Sequence, residues 1–457
     1  MPRVLAVVLV VAGLGGRCGP AAAQEKPPGP LPTDVVAAWK KAGAEPGWMG
    51  PDEFGSLTFR RGGEGKVGEV PAFRLFKWDL GLLGKLPAPG QAFGLGLDLT
   101  AVTAAGLKEL AGLTQLQMLY IRYTRVMAAG LRELAGLKQL RSLDLGYAEL
   151  TDEEVKELAA LKQLQTLSLY RTPVTDAGVR ELAALKQLRS LDLSATEVTD
   201  AGLRELAGLA QLQTLGLDYT RVTDAGLKEL AGLTQLQSLG LRGTKVAGTG
   251  LQELAGLKQL QRLNLSGERV TDAGVKALAG LKQLQTLELV NTLVTDAGLK
   301  ELAGLTQLQT LELGGTAVTD AGFKELAALK QLRSLGLGGT KVAGTGLRVL
   351  AGLTQLRRLE LGGTKVTDAG VKELAALKQL QTLDLRFTQV TGTGLRELAG
   401  LKQLQTLNLR RAPVTDTGLR ELTGLKQLQS LDLSETKVTD AGVAEFRKAV
   451  PDCSIIR

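Results

Sequence analysis

Seven carboxylates recur on one spacing: Asp144, Asp192, Glu288, Glu312, Glu360, Asp384 and Asp432 are separated by multiples of 24 residues. Two carboxylates about 5 Å apart are what a retaining glycoside hydrolase uses, one as nucleophile and one as acid–base. If residues 24 apart in sequence occupy neighbouring strands, Glu288 and Glu312 meet that separation. The same column has an electrostatic use. Arg358 stands two residues before Glu360, Arg386 two after Asp384, and Arg262 falls one strand from Glu288. The column therefore reads first as a solvated ion-pair surface, with a carbohydrate-active centre and a cation site as the other readings.

Composition removes most other chemistry. The chain has no histidine, which excludes Ser-His and Cys-His nucleophile systems and the commonest metal ligand. "GGEGKV" at 62–67 lacks the spacing of a phosphate loop, the hydroxyl for Mg²⁺ and a following helix. Cys453 falls at a core-facing position and reads as a buried thiol. No catalytic residue, metal site or cofactor is assigned.

A second set of residues suits binding. All five tyrosines, Tyr120, Tyr123, Tyr147, Tyr170 and Tyr219, fall in strand-centre or strand-exit columns of the same period. Arg122, Arg125, Arg171 and Arg221 share or adjoin those columns, and Arg386, Phe387, Arg410 and Arg411 form a smaller group toward the C-terminus. Between them Gly314, Gly315, Gly338, Gly339, Gly362 and Gly363 leave the surface bare. Tyr and Arg dominate binding hot spots because they bury large area with few rotors and still satisfy polar groups. Tyr also favours strands and could simply cover a sheet.

These columns need elements to hold them. Glycine recurs at 106, 130, 178, 202 and onward to 442 in steps of 24 or a multiple, with Glu154 filling the one gap. In "LQTLEL" the alternation puts Leu311 and Leu313 on one face of a short strand and Thr310, Glu312 and Gly314 on the other. In "TDAGLKELAGL", Leu299, Leu302 and Leu305 make a helical stripe, with Thr295 or Asp296 as N-cap. Strands need about 4.8 Å of spacing and helices about 10 Å, so stacked units must bend into a horseshoe with strands inside. Fifteen or so layers predict a concave sheet on the order of 70 Å along its arc.

Fourteen strand motifs run from Leu116 to Leu433, flanked by a half unit at Leu95 and Leu97 and a divergent one at Val450, Cys453 and Ile455. This pattern resembles the leucine-rich repeat family. The "VTDAG" half is similar to repeats of eukaryotic F-box leucine-rich proteins and of planctomycete-type secreted bacterial proteins, without an F-box segment. The resemblance implies an α/β leucine-rich-repeat solenoid, with a parallel sheet on the concave face and short helices on the convex face. It implies a non-catalytic interaction module whose partner is a protein, a peptide or a glycan. A structural scaffold of a cell-envelope assembly is the alternative, and a carbohydrate-active enzyme using the acidic column the third reading. Thr124, Thr172, Thr196, Thr220, Thr244 and Thr316 stand where the family has Asn. Thr bonds fewer groups, so a continuous side-chain ladder at that position is not expected. Ala at 160, 184, 328 and 376 in place of Gly implies ordinary helical dihedrals there, with close helix approach favouring the small residue.

The first 23 residues read as an export signal: Arg3, an apolar run Val4 to Leu14, and an A-x-A site before Gln24. The run is too short to span a bilayer. The mature chain would be periplasmic, on the cell surface or secreted, and without Arg3 and Arg17 its net charge falls from +8 to +6. Residues 24–91 read as a proline-rich linker plus an N-terminal cap, and 92–457 as the repeats. The cap is expected to hold a helix in "TDVVAAWKKAG", capped by Thr33 or Asp34, and a hairpin in "GSLTFRRGGEGKVGEVPAFRLF". All three tryptophans, Trp39, Trp48 and Trp78, fall in it. On the convex side a basic column (Lys108, Arg132, Arg180, Lys228) borders an acidic one (Glu109, Glu133, Glu181, Glu229). Alternating signs leave a weak field, so nucleic acid is not an expected partner.

Overall fold

Each 24-residue unit spends three residues on a strand and most of the rest on a turn and a short helix. In the unit starting at Leu308 the strand is Thr310–Glu312, with Leu311 facing inward. Leu308, Leu311, Leu313, Val318, Phe323, Leu326 and Leu329 close that layer and none is exposed. The computed structural model describes residues 29–52, 57–98, 102–124, 128–267 and 269–457. The proposed export signal, Arg125 and Glu268 lie outside them.

Among the described residues nineteen strands make one sheet. From Val70–Arg74 the pairings run parallel and in sequence, through Phe93–Gly96 and Leu116–Tyr120, to Ser454–Ile456 at the far end. The register is in line, Leu287 opposite Leu311 and Leu311 opposite Leu335. A column in the sequence is therefore a column in space. The result is the α/β solenoid expected from the period, strands on the concave side and helices on the convex side.

Asp and Thr of "TDAG" tie successive units together. Thr295 caps the helix Asp296–Leu302, accepting from the Ala297 N–H at 3.2 Å. The Asp296 carboxylate reaches the next unit, taking the Thr319 N–H at 2.8 Å and its hydroxyl at 2.6 Å. The same pair of bonds joins Asp152 to Thr175, Asp176 to Thr199, Asp200 to Thr223 and Asp272 to Thr295. Where a unit reads "AGTG" the preceding Asp turns to backbone, so Asp320 accepts from the N–H groups of Ala343, Gly344 and Gly346.

This ladder explains the recurring glycine where the preceding unit carries the Asp; after an "AGTG" unit the close neighbour is backbone instead, as Gly248 is for Gly274. A Cβ on Gly322 would lie 2.5 Å from Asp296 Oδ1, and one on Gly178 equally close to Asp152 Oδ1. At Glu154 the preceding unit has Ala128 where most others have Asp, so no carboxylate stands in the way of a side chain at the glycine position. Glu154 then replaces the missing carboxylate from within its own unit, accepting from the Thr151 N–H at 2.8 Å and from its hydroxyl.

The threonines in the family's Asn position each bond within their own unit. The Thr316 hydroxyl donates to Leu313 O at 2.6 Å and that of Thr172 to Leu169 O at 2.7 Å, so no ladder runs between units there. The small residue of "LAGL" has ordinary negative φ, as expected. Close helix approach is not its cause. A Cβ at Gly304 would meet only the Lys282 ammonium at 3.0 Å, and one at Gly232 nothing. Lys282 reaches that point to cap the next unit's helix end, donating to Gly304 O at 3.2 Å.

The N-terminal segment departs from the expected hairpin. Leu57–Arg61 and Val70–Arg74 do not pair with each other; the strand Glu45–Pro51 lies between them, antiparallel to both. Its two prolines and two glycines hide it from a propensity reading. The helix Thr33–Lys41 begins after Pro32, with neither Thr33 nor Asp34 as its cap. It stacks Trp39 on Phe73 at 4.4 Å and edge-on to Phe93 at 6.4 Å, with the indole N–H donating to Pro87 O at 2.9 Å. The open core layer at this end is thereby covered.

Candidate functional rim

After each strand the chain makes a turn whose geometry decides what the rim can display. Following buried Leu169, Tyr170 leaves the strand, Arg171 takes a left-handed backbone at φ 55°, and Thr172 closes the turn. The Arg171 N–H continues the parallel pairing to Ser194 O at 2.9 Å. The left-handed position repeats every unit. Gly243, Gly315, Gly339 and Gly363 occupy it at φ 65–70°, where glycine carries no Cβ penalty. Tyr123, Tyr147, Tyr219, Phe387 and Arg411 occupy it too, at φ 55–60°. For an L-residue this backbone costs roughly 1–2 kcal/mol.

At the N-terminal end these residues form a row. Tyr123 stacks on Tyr147 with centroids 4.2 Å apart, and Tyr147 meets Tyr170 edge-on at 5.2 Å. The Arg171 guanidinium lies over the Tyr147 ring at 5.5 Å. Hydrogen bonding from Tyr123 pulls the Tyr147 hydroxyl down from its ordinary value, and desolvation pushes Tyr123 and Tyr170 up. Further along, Tyr219 is 52% exposed and carries the Arg242 guanidinium at 5.5 Å. Arg242 is a rim residue the sequence reading overlooks; its signal is its place in the column of Arg122 and Arg386.

The structure does not bring every expected residue to this surface. Tyr120 is 3% exposed, packed with Met49, Leu57, Val70 and Ala72 beneath the N-terminal strands. It offers nothing to a partner, because the strand Leu57–Arg61 covers it. Arg122 is half-buried and spent on Asp144, at 2.9 Å through Nε and 2.5 Å through Nη2. Arg221 is exposed but paired with Glu197. In the smaller group, Arg410 and Arg411 lie over Phe387 at 5.9 and 5.2 Å and both bond Glu435, while Arg386 pairs with Asp384 at 3.1 Å.

The acidic column divides into two kinds of residue. Asp144, Asp192, Asp384 and Asp432 each accept the backbone N–H two residues on, at 2.9–3.0 Å, and so brace the strand exit. The glutamates cannot fold back in that way, and they splay. Glu288 accepts from Asn264 Nδ2 on the preceding strand at 2.9 Å, in place of the expected pairing with Arg262. Glu312 leans forward over Gly336 and accepts from Ser334 Oγ at 3.3 Å. The two carboxylates thus turn away from each other. Burial pushes the Glu312 carboxyl up to about 7, with Glu360 adding to it, and Asp218 up to about 6.

Between the aromatic row and Glu288 the sheet forms a groove of about 300 Å³, floored by Ser168, Ser190, Thr214 and Ser238, with Leu57 at its N-terminal end. Among the described residues no cluster of His, Cys, Asp or Glu is arranged to hold a metal ion. No helix among them is long and apolar enough to cross a membrane.

A family model described as leucine rich repeat matches residues 258–318, and a second of the same description matches 186–207, 352–375, 378–399 and 426–446. Among solved structures, an internalin from Listeria monocytogenes is similar at 25% identity over 67% of this chain and 88% of its own, with a TM-score of 0.54. A leucine-rich repeat protein of Leptospira interrogans is similar at 24% identity over 80% of this chain and 89% of its own, with a TM-score of 0.52. No curated protein sequence matches the chain.

Proposed function

The chain belongs to the leucine-rich repeat family, and from that premise we propose that it is an exported, non-catalytic module that holds a protein or peptide partner on its concave rim. Proteins of this family act generally as interaction modules. One observation carries the assignment of the surface. Tyr123, Tyr147, Arg171 and Tyr219 sit in a left-handed backbone that glycine occupies freely elsewhere on the same rim. Folding alone favours glycine there; Ala195, Asn291 and Glu435 hold the same backbone, but aromatics and a cation gathered at that position are what a contact surface uses. The rigid array presents them with little conformational entropy left to lose on binding. A glycosidase reading is not supported by Glu288 and Glu312, which bond to opposite neighbours.

The test is capture from the source organism's envelope and medium fractions by the wild-type chain and by a variant with Tyr123, Tyr147, Tyr170 and Tyr219 changed to Ser. A partner held by the wild type and lost by the variant supports the reading. Equal capture by both removes the rim from the account.

A further inference from the structure

Most arginines of the strand-exit rim already have a carboxylate: Arg221 has Glu197, Arg386 has Asp384, and Arg410 and Arg411 share Glu435. Arg171 and Arg242 differ. Both are exposed, and each guanidinium rests on a tyrosine ring of the preceding unit, Tyr147 and Tyr219, at 5.5 Å. Among the described residues neither forms an ion pair. Asp218 takes the backbone N–H of Arg242 at 2.7 Å, and the Arg242 charge acts on Asp218 and Glu288 without a direct ion pair to either. Lys245, exposed three residues on, adds charge of the same sign.

Their separation is set by the sheet. Arg171 follows the strand Thr166–Ser168 and Arg242 follows Ser238–Gly240, three strands further along the in-line register. Both side chains lean back by one unit, so the offset between the two cations stays at three strands, roughly 14 Å. An extended peptide advances about 3.3 Å per residue, and residues four apart point to the same side. A carboxylate at one position and another four residues later spans about 13 Å. An exposed guanidinium resting on an aromatic face can still donate N–H bonds to a carboxylate.

We propose that Arg171 and Arg242 are the two anchor points for an extended acidic peptide segment of a partner protein, laid along the rim with carboxylates four residues apart. This rests on the reading of the rim as the partner-facing surface, and it names the chemistry that surface selects. The groove beside it is lined by Asp144, Asp192, Asp218 and Glu288, so the acidic segment is assigned to the rim alone and not to the groove.

Fluorescence anisotropy on the full mature chain tests this with three labelled peptides of one Ser/Gly background. One carries two glutamates four residues apart, one carries them adjacent, and one carries two lysines four residues apart. The spaced acidic peptide is expected to bind tightest, to weaken with added salt, and to weaken about tenfold or more in Arg171→Gln/Arg242→Gln. Arg221→Gln, already paired in the native chain, should leave it unchanged. Tighter binding of the lysine peptide overturns the acidic assignment while leaving the rim a peptide surface. Indifference to spacing, or no binding of any peptide, overturns the two-anchor proposal; envelope capture by the tyrosine variant decides the broader reading separately.

Discussion

Tyr123 stacks on Tyr147 at 4.2 Å although both residues hold a left-handed backbone, at φ 56° and 60°. Each conformation costs roughly 1–2 kcal/mol, and an aromatic pair returns about 0.5–1.5 kcal/mol. Stacking offsets part of the cost and does not explain why the residues are there. Tyr219 has no aromatic neighbour in its unit or the next, and only the Arg242 guanidinium at 5.5 Å offsets its cost.

The backbone cost is measurable where no contact confuses it. A Cβ on Gly339, at φ +69°, would have nothing closer than 3.7 Å. Gly339→Ala should therefore destabilise by about 1 kcal/mol in chemical unfolding, from backbone conformation alone. Conversely Tyr219→Gly should be more stable than Tyr219→Ala by a similar amount. Equal stabilities in both comparisons would show that the left-handed column carries no strain.

The Asp–Thr ladder and the periodic glycine should be coupled. Asp296→Ala loses two hydrogen bonds to Thr319 and is expected to cost about 1–3 kcal/mol. Gly322→Ala forces its new methyl against the same carboxylate and should cost about 1–3 kcal/mol. The double variant should fall well short of the sum, since removing the carboxylate makes room for the methyl. Strict additivity in a double-mutant cycle would contradict the steric account.

Glu312 gives the fold a pH dependence of defined sign. Its carboxyl is raised to about 7 by burial, and by Glu360, against the partly opposing Arg358. The folded chain keeps this proton where the unfolded chain has released it, so the contribution to stability is full below about pH 4.5 and is lost as pH rises through 7. Relative to Glu312→Gln, the wild type should gain on the order of 1–3 kcal/mol between pH 8 and pH 5. Asp218, raised to about 6, acts with the same sign over a lower window. Parallel pH profiles for the wild type and the Gln variant would refute the burial of Glu312.

Much of this architecture is legible in the chain because burial imposes a period. Leu311 and Leu313 mark a strand face and Leu299 and Leu302 a helix stripe without reference to any neighbour. The left-handed column is harder to read, because Tyr, Arg, Ala, Asn and Gly all fill it; its trace is the second glycine of Gly314-Gly315 and Gly338-Gly339. The Asp296–Thr319 bond spans 23 residues, so local pattern shows only an Asp that recurs, with a helix-cap explanation ready to absorb it. Tyr120 falls in the right column and is removed from the surface by the strand Leu57–Arg61, a placement no periodicity encodes. The strand Glu45–Pro51 is concealed by its own prolines and glycines.

Occupation of the strand-exit rim by a partner is read out by placing a photo-crosslinking amino acid at position 219 or at position 300 in the source organism. Position 219 lies on the rim, and Lys300 is exposed on the convex helix Asp296–Leu302. Irradiation should yield a discrete crosslinked species from position 219 and none from position 300. A species formed from position 300 alone would move the partner to the convex side and leave the rim without one.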